Sequence, residues 1–201
     1  TENQMTCHPQ VIDGRRPHFI GCDMGSIDPG PYYLGSGQMA APPAMVRRDL
    51  ALVLDAALDH ATAASCAQAL GAMHALLERT ANYLKVRKQF GVAIGSFQAL
   101  QHRLVDMSIE IEQSRSMVLM ASVRVDSADA DERRRAVSAT KAYLGQASKF
   151  VAQQAVQLHG GIGVTEELDV GHFFRQLTAF GTLYGDRERH LDRVAGLPRA
   201  A

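Results

Sequence analysis

Several things are scarce in this chain, and each scarcity excludes something. It has no surplus of charge of either sign: 21 Lys and Arg stand against 21 Asp and Glu. A nucleic-acid binder would carry a basic excess, so that partner is not expected. Cysteine is scarce, with three at Cys7, Cys22 and Cys66. An odd number at wide spacing makes neither a disulfide framework nor a zinc site, and a reducing cytoplasm is the simple expectation. No apolar run reaches the roughly 18 residues of a membrane span, so no crossing of a bilayer is expected. The first residues, Thr1 to Gln4, lack the charged-then-apolar pattern of a secretion signal. No metal site is expected either, because the eight histidines include no His-x-x-x-His or His-Glu-x-x-His spacing.

The scarcity of proline is positional. Six of the seven prolines lie in residues 1–43 and the seventh is Pro198. Six glycines also fall before residue 38. The chain therefore divides near residue 45 into a breaker-rich head and a long proline-free body. With 46% hydrophobic side chains and 201 residues there is enough material to bury a sizeable core.

A long proline-free stretch suits helices, because an interior proline costs about 3 kcal/mol. Residues 46–86 contain one glycine, Gly71, and place Leu50, Leu54, Ala57, Leu58, Ala61 and Ala64 at helical spacing. After a break at Gly91 and Gly95, with Ser96 as N-cap, a second helix carries Leu100, Leu104, Met107, Ile111 and Val118 on one face. The acidic turn Ser127 to Glu132 suits the start of a third helix. There Tyr143, Ala147, Phe150, Gln154 and Leu158 share a stripe, and the helix stops at Gly160-Gly161-Ile162-Gly163. Two shorter helices are expected near 167–178 and 181–195. In the head, Val11 to Ile20 suits short strands around a turn at Asp13-Gly14, and Asp28 to Pro31 reads as a loop.

Two motifs suggest chemistry. Arg87-Lys88-Gln89-Phe90-Gly91 ends the first long helix. An arginine there can simply partner the helix dipole, or it can reach a phosphate while Phe90 packs on a flat ring. Gln157-Leu158-His159-Gly160-Gly161-Ile162-Gly163 ends the third helix. One glycine would cap it; three in four residues suit a backbone that a ligand or another chain approaches closely. The run is not a dinucleotide fingerprint, since no strand precedes it. His159-Gly160-Gly161 is also like a hydrolase oxyanion loop, yet the chain has no Gly-x-Ser-x-Gly elbow.

These motifs occur in order with Phe97-Gln98-Ala99-Leu100-Gln101-His102, then Asp106-Met107, Lys141 and Arg175. Together they resemble the C-terminal helical domain of the acyl-CoA dehydrogenase family over about residues 46–195. Asp13-Gly14-Arg15-Arg16 and Leu34-Gly35 resemble the family's middle β domain more weakly. The resemblance implies an all-α fold, an up-and-down four-helix bundle with a short irregular or β N-terminal segment. Residues 1–45 would be a remnant of the middle β domain or a docking arm, and 46–197 the FAD-binding bundle. It implies FAD as cofactor, an acyl-CoA thioester as substrate and a homo- or hetero-oligomer, a dimer or tetramer. Arg87, Gln89, Phe90 and Gln98 match positions that contact FAD. Gln157, Gly160 and Gly161 match a turn that receives the adenine end, typically of a neighbouring chain's cofactor.

The family's reaction needs a carboxylate to take the α proton while a hydride leaves the β carbon. At the usual base position stands Tyr184, followed by Gly185 and Asp186; at the alternative position in the first helix stands Ala61, two residues from Asp59. Tyrosine is a poor base at neutral pH. The resemblance therefore leaves readings open. The chain can be the base-lacking partner in a heteromeric enzyme, as in complexes acting on sterol side-chain thioesters. It can be self-sufficient, with Asp186 or Asp59 as a displaced base. It can also be a non-catalytic helical protein that kept the bundle. A whole family member has two further domains before this bundle, so completion by other polypeptide is expected.

Overall fold

A computed structural model describes residues 9–10, 18–19 and 44–198. Two compact units divide the chain between Leu54 and Asp55. In the first unit β1 (Pro9–Gln10) pairs antiparallel with β2 (His18–Phe19), Pro9 opposite Phe19. The expected turns at Asp13-Gly14 and at Asp28 to Pro31 lie outside the described residues.

The helices follow in order: α1 (Ala44–Val86), α2 (Gln98–Arg124), α3 (Ala130–His159), α4 (Val170–Thr182) and α5 (Arg187–Ala195). A small hairpin of β3 (Lys88–Gln89) and β4 (Val92–Ala93) separates α1 from α2. Cross-links of the second unit show alternating directions. Thr140 donates to the Met117 carbonyl, Tyr143 to Glu110, and Arg103 to Gln154, so α2 and α3 run antiparallel. Lys141 of α3 donates to the Phe180 carbonyl of α4 and Arg193 of α5 to Ser138 of α3, so the last arm also runs against α3. His60 meets Asp126, which sets α1 against α2. This is an up-and-down four-helix bundle whose fourth arm is broken into α4 and α5.

Local sequence explains most of the boundaries. Asp129 caps α3, its carboxylate accepting from the backbone N–H of Asp131 at 2.9 Å and of Glu132 at 3.4 Å, as the acidic turn predicts. Ser96 is not the cap of α2. Its hydroxyl turns back to the Ala93 carbonyl at 2.7 Å, and Phe97 holds the cap position without a side-chain bond. A short 3-10 turn, Ile94–Ser96, inserted before the helix causes this shift.

The buried face of α1 is not the expected one. Ala57, Leu58 and Ala64 are exposed. The interior is instead met by Asp59, Thr62, Ser65, Cys66, Ala69, Met73, Leu76, Thr80 and Leu84. The polar members tolerate burial because the hydroxyls of Thr62, Ser65 and Thr80 each bond a carbonyl of their own helix at 2.7 Å. A helix this rich in Ala and Leu has apolar residues on every side, so spacing alone does not select a face. The same richness corrects another expectation: Leu50–Val86 is long and apolar enough, by length and composition, to cross a membrane. In this fold its middle and C-terminal part joins the core with Met107 and Ile111 of α2, Leu144, Val151 and Leu158 of α3, and Leu177 and Phe180 of α4.

An ionic cluster ties α1, α3 and α5 together. Asp59 is 1% exposed, and both of its oxygens are taken: Oδ2 accepts from Arg133 at 3.0 Å and Oδ1 from Arg193 at 2.6 Å. Arg193 also reaches Asp55 at 2.8 Å, and Arg134 reaches the other Asp55 oxygen at 2.7 Å. Burial works to raise the Asp55 pKa, and the two guanidinium groups outweigh it and hold it below the usual carboxylate value. Removing one partner of such a pair leaves charge uncompensated, which costs about 3–5 kcal/mol. Asp59→Ala is therefore expected to lower the urea unfolding midpoint sharply. Asp126→Ala, on the surface, is expected to leave it near wild type. Equal midpoints for the two variants would show that the cluster does not anchor the helices.

Candidate functional site

The end of α1 runs directly into the hairpin. Arg87 donates its N–H to the Tyr83 carbonyl at 2.9 Å, continuing the helix by one bond, and its own carbonyl receives the Ile94 N–H at 2.8 Å. Phe90 and Gly91 form the two-residue turn, with φ of 54° and 83°. Two successive positive φ values make the mirror-image turn that suits strand twist, where Asn-Gly is the usual pair. A phenylalanine there is strained by roughly 1–2 kcal/mol. The turn also holds its ring 91% exposed, touching Phe97 edge-on at 6.2 Å. Gly95 is needed for packing, since a Cβ there would lie 2.9 Å from the Leu84 carbonyl oxygen. Gln101 ties the loop down by donating to the Gly95 carbonyl at 2.8 Å.

At the end of α3 the glycines have separate duties. Gly160 adopts φ 66°, which favours glycine. A Cβ on Gly163 would lie 2.9 Å from both the His159 Cβ and the Val156 carbonyl, so close packing requires it. Gly161 is different. It is exposed, its φ is not in the left-handed region, and a Cβ built on it meets nothing within 4 Å. The fold does not require a glycine there.

The two motifs belong to one end of the bundle. Tyr83, one turn before Arg87, stacks on His159 with ring centroids 4.5 Å apart and donates its hydroxyl to the His159 carbonyl at 3.3 Å. The His159 ring is oriented by a 2.8 Å bond between Nδ1 and the Ala155 carbonyl. This contact places the hairpin beside the glycine turn. Arg87, Gln89, Phe90, Gln98, Gln157, Gly160 and Gly161 are all exposed there. Among the described residues Arg87 has no carboxylate partner, whereas Arg79, Arg133, Arg134, Arg175 and Arg193 each have one. A free guanidinium, an exposed ring and an open glycine can receive a phosphate and a flat heterocycle. Tyr83 is a support outside the motifs, and His159 and Gln101 lie within them without having been given this role. The one signal for Tyr83 and His159 is their place next to Arg87 and Gly160.

The position of the expected base lies elsewhere. Tyr184 and Gly185 form the break between α4 and α5, with φ of 59° and 116°. Asp186 caps α5, accepting the Arg189 N–H at 2.9 Å, and is exposed. Asp59 has both oxygens engaged by arginine, as described, which leaves neither open to a substrate proton. Neither carboxylate is desolvated and free, as a raised-pKa base requires. Cys66 is no nucleophile, because burial pushes its thiol up to about 12. A groove of about 200 Å³ opens between α1 and α4, lined by Ser65, Gln68 and Ala69 on one side and Gln176, Phe180 and Leu183 on the other. Leu183 places its end beside Tyr184. From Lys141, which bonds α4 at Phe180, to His159 is 18 residues of α3, about 27 Å of helix. The groove and the exposed motif end are thus well apart.

Comparison with known proteins agrees with this fold. Residues 51–196 match the acyl-CoA dehydrogenase C-terminal domain family. The chain is similar to the acyl-CoA dehydrogenase IpdE2 of Mycolicibacterium smegmatis, 32% identical over 136 residues, covering 68% of this chain and 42% of the relative. It is 38% identical over 120 residues to a probable acyl-CoA dehydrogenase, FadE25, of Mycobacterium tuberculosis, covering 60% of this chain and 31% of that one. Among solved structures it resembles the ChsE4-ChsE5 complex from Mycobacterium tuberculosis, with TM-score 0.66, 30% identity, and coverage of 75% of this chain and 41% of that one. It also resembles a Tcur3481-Tcur3483 steroid acyl-CoA dehydrogenase variant, with TM-score 0.65, 33% identity, and coverage of 69% and 38%. The chain thus spans less than half the length of these relatives. The fold, the ordered motifs and the family match together place this chain in the acyl-CoA dehydrogenase family, of which it carries the C-terminal helical domain.

Proposed function

We propose that this chain supplies the FAD-binding helical end of an acyl-CoA dehydrogenase that introduces an α,β double bond into an acyl-CoA thioester. The observation that carries the reading is the gathering of an open Gly161, an unpaired Arg87 and an exposed Phe90 at one end of the bundle, joined there by the Tyr83–His159 stack. In this role Arg87 holds the diphosphate, Phe90 packs on a ring, and Gln89 and Gln98 add hydrogen bonds. Gln157, Gly160 and Gly161 let the adenine end approach backbone directly. FAD supplies hydride acceptance when bound. The chain's own residues bind and orient it, and the groove beside Tyr184 receives the apolar acyl part and excludes water from it.

With Tyr184 at the usual base position, the chain acts as the base-lacking subunit of a hetero-oligomer, and its partner provides the carboxylate. The steroid dehydrogenase named among its structural relatives favours a sterol side-chain thioester as substrate, and the two-protein complex favours a hetero-oligomer. About 27 Å of α3 between the groove and the adenine-binding end suits a cofactor shared between chains, each end serving a different flavin. Residues 1–45 fit the edge of a middle β domain, and a cytoplasmic assembly fits the reduced, buried Cys66.

The tests use the assembled complex. A charge-assisted contact contributes about 1.5–3 kcal/mol, so Arg87→Ala is expected to weaken flavin retention roughly 10- to 100-fold. Gly161→Val is expected to weaken flavin retention too, while leaving the melting temperature of the flavin-free protein unchanged. Flavin-to-protein absorbance ratios equal to wild type in both variants would sink the cofactor assignment. For the base, Asp186→Asn keeps a capping oxygen and is expected to leave turnover unchanged. A large loss of turnover with α5 intact would make Asp186 the base.

A further inference from the structure

The break between α4 and α5 contains a feature that neither the packing of the bundle nor the proposed flavin site uses. His190 of α5 is 4% exposed, and among the described residues neither ring nitrogen makes a hydrogen bond of full geometry, although the Tyr184 backbone is close enough to act on the ring. Buried polar groups are nearly always bonded, so an orphan of this kind calls for a role. The ring lies directly under the strained turn. A Cβ built on Gly185 would come 3.2 Å from His190 Nε2 and 3.5 Å from its Cδ2. Tyr184, just before it, is a non-glycine residue held at φ 59°. Such strain persists only where the surroundings over-determine it.

We propose that the His190 imidazole is a positioning group for the Tyr184–Gly185 turn, filling the space that the missing side chain at 185 leaves and holding both residues in left-handed backbone. It acts through the turn and touches no reacting atom in this account. The claim rests on the proposed function only for the importance of that turn; the support itself is a property of this chain.

The surroundings make the support dependent on pH. From α3, Lys141 is fully buried, donates to the Phe180 carbonyl at 2.6 Å and sits 4.0 Å over the Phe180 ring. Arg189 and Arg193 of α5 add positive charge, Arg193 being answered by Asp55 and Asp59 of α1. Cys66 of α1 and Asp186 at the start of α5 act on Lys141, and the buried thiol stays protonated. Burial first, then Lys141, Arg193 and Arg189, push the His190 pKa below its ordinary 6.5; the Tyr184 backbone opposes them. A neutral ring is therefore the folded form. Its contribution is complete above about pH 6.5 and is lost as the pH falls through the lower folded-state value, where a second cation would have to be buried near Lys141.

Hydrogen exchange of the full chain tests this, read at the amides of residues 183–189 and corrected for intrinsic rate. Wild type is expected to lose protection there at least tenfold between pH 7.5 and pH 5, while the α2 core amides from 107 to 121 hold theirs. His190→Leu fills the same space without a titratable group and is expected to keep protection and lose the pH dependence. His190→Ala is expected to lose protection at pH 7.5. Unchanged protection in His190→Ala, or pH dependence that survives in His190→Leu, would overturn the proposal. If Arg87→Ala keeps its flavin, the flavin reading fails and this result is unaffected.

Discussion

A carboxylate that is 1% exposed has to be answered from inside the protein, and the packing of this bundle follows from how Asp59 is answered. Desolvating such a group is expensive unless opposite charges and hydrogen bonds surround it. Arg133 of α3 and Arg193 of α5 supply them, and Arg193 links Asp59 to Asp55 as well. One residue of α1 thereby fixes the registers of two other helices. With α1 and α3 parallel at this end, their far ends must also come together, and they do so through the stack of Tyr83 on His159. A charged contact at one end and an aromatic contact at the other hold the frame on which both motif segments sit.

The two ends carry different kinds of strain. At the hairpin, Phe90 takes a left-handed conformation and holds its ring largely in solvent, with an edge-on contact to Phe97. At the α4–α5 break, Tyr184 takes the same conformation over a buried imidazole. The hairpin presents its ring to solvent, and in the proposed support the break is held from within. That distinction matches a subunit that presents cofactor contacts while carrying no carboxylate at the usual base position.

Much of this was legible before any coordinates. The start of α3 at the acidic turn Ser127 to Glu132, its end at Gly160 and the ordered Arg87, Gln98 and Gln157 motifs follow from short-range rules and from the family resemblance. The face of α1 did not, because a helix of mostly Ala and Leu lacks the contrast that periodicity needs. The buried face even contains Asp59, which only partners 74 and 134 residues away make tolerable. Ser96 misled for a local reason, since a 3-10 turn of three residues moved the cap by one position. Gly160, Gly161 and Gly163 look alike as letters. Their neighbours in space separate a backbone requirement, an open position and a packing requirement.

The central claim is that the Arg87 end of the bundle, and not the Tyr184 end, receives the adenosine diphosphate half of FAD. Photolabelling of the assembled complex with FAD carrying an azide on its adenine, followed by peptide mapping of this chain, tests it most directly. The account predicts label confined to residues 83–98 and 157–163, displaced by excess FAD. Label on residues 183–190, or none on this chain while the complex is fully loaded with flavin, would contradict it.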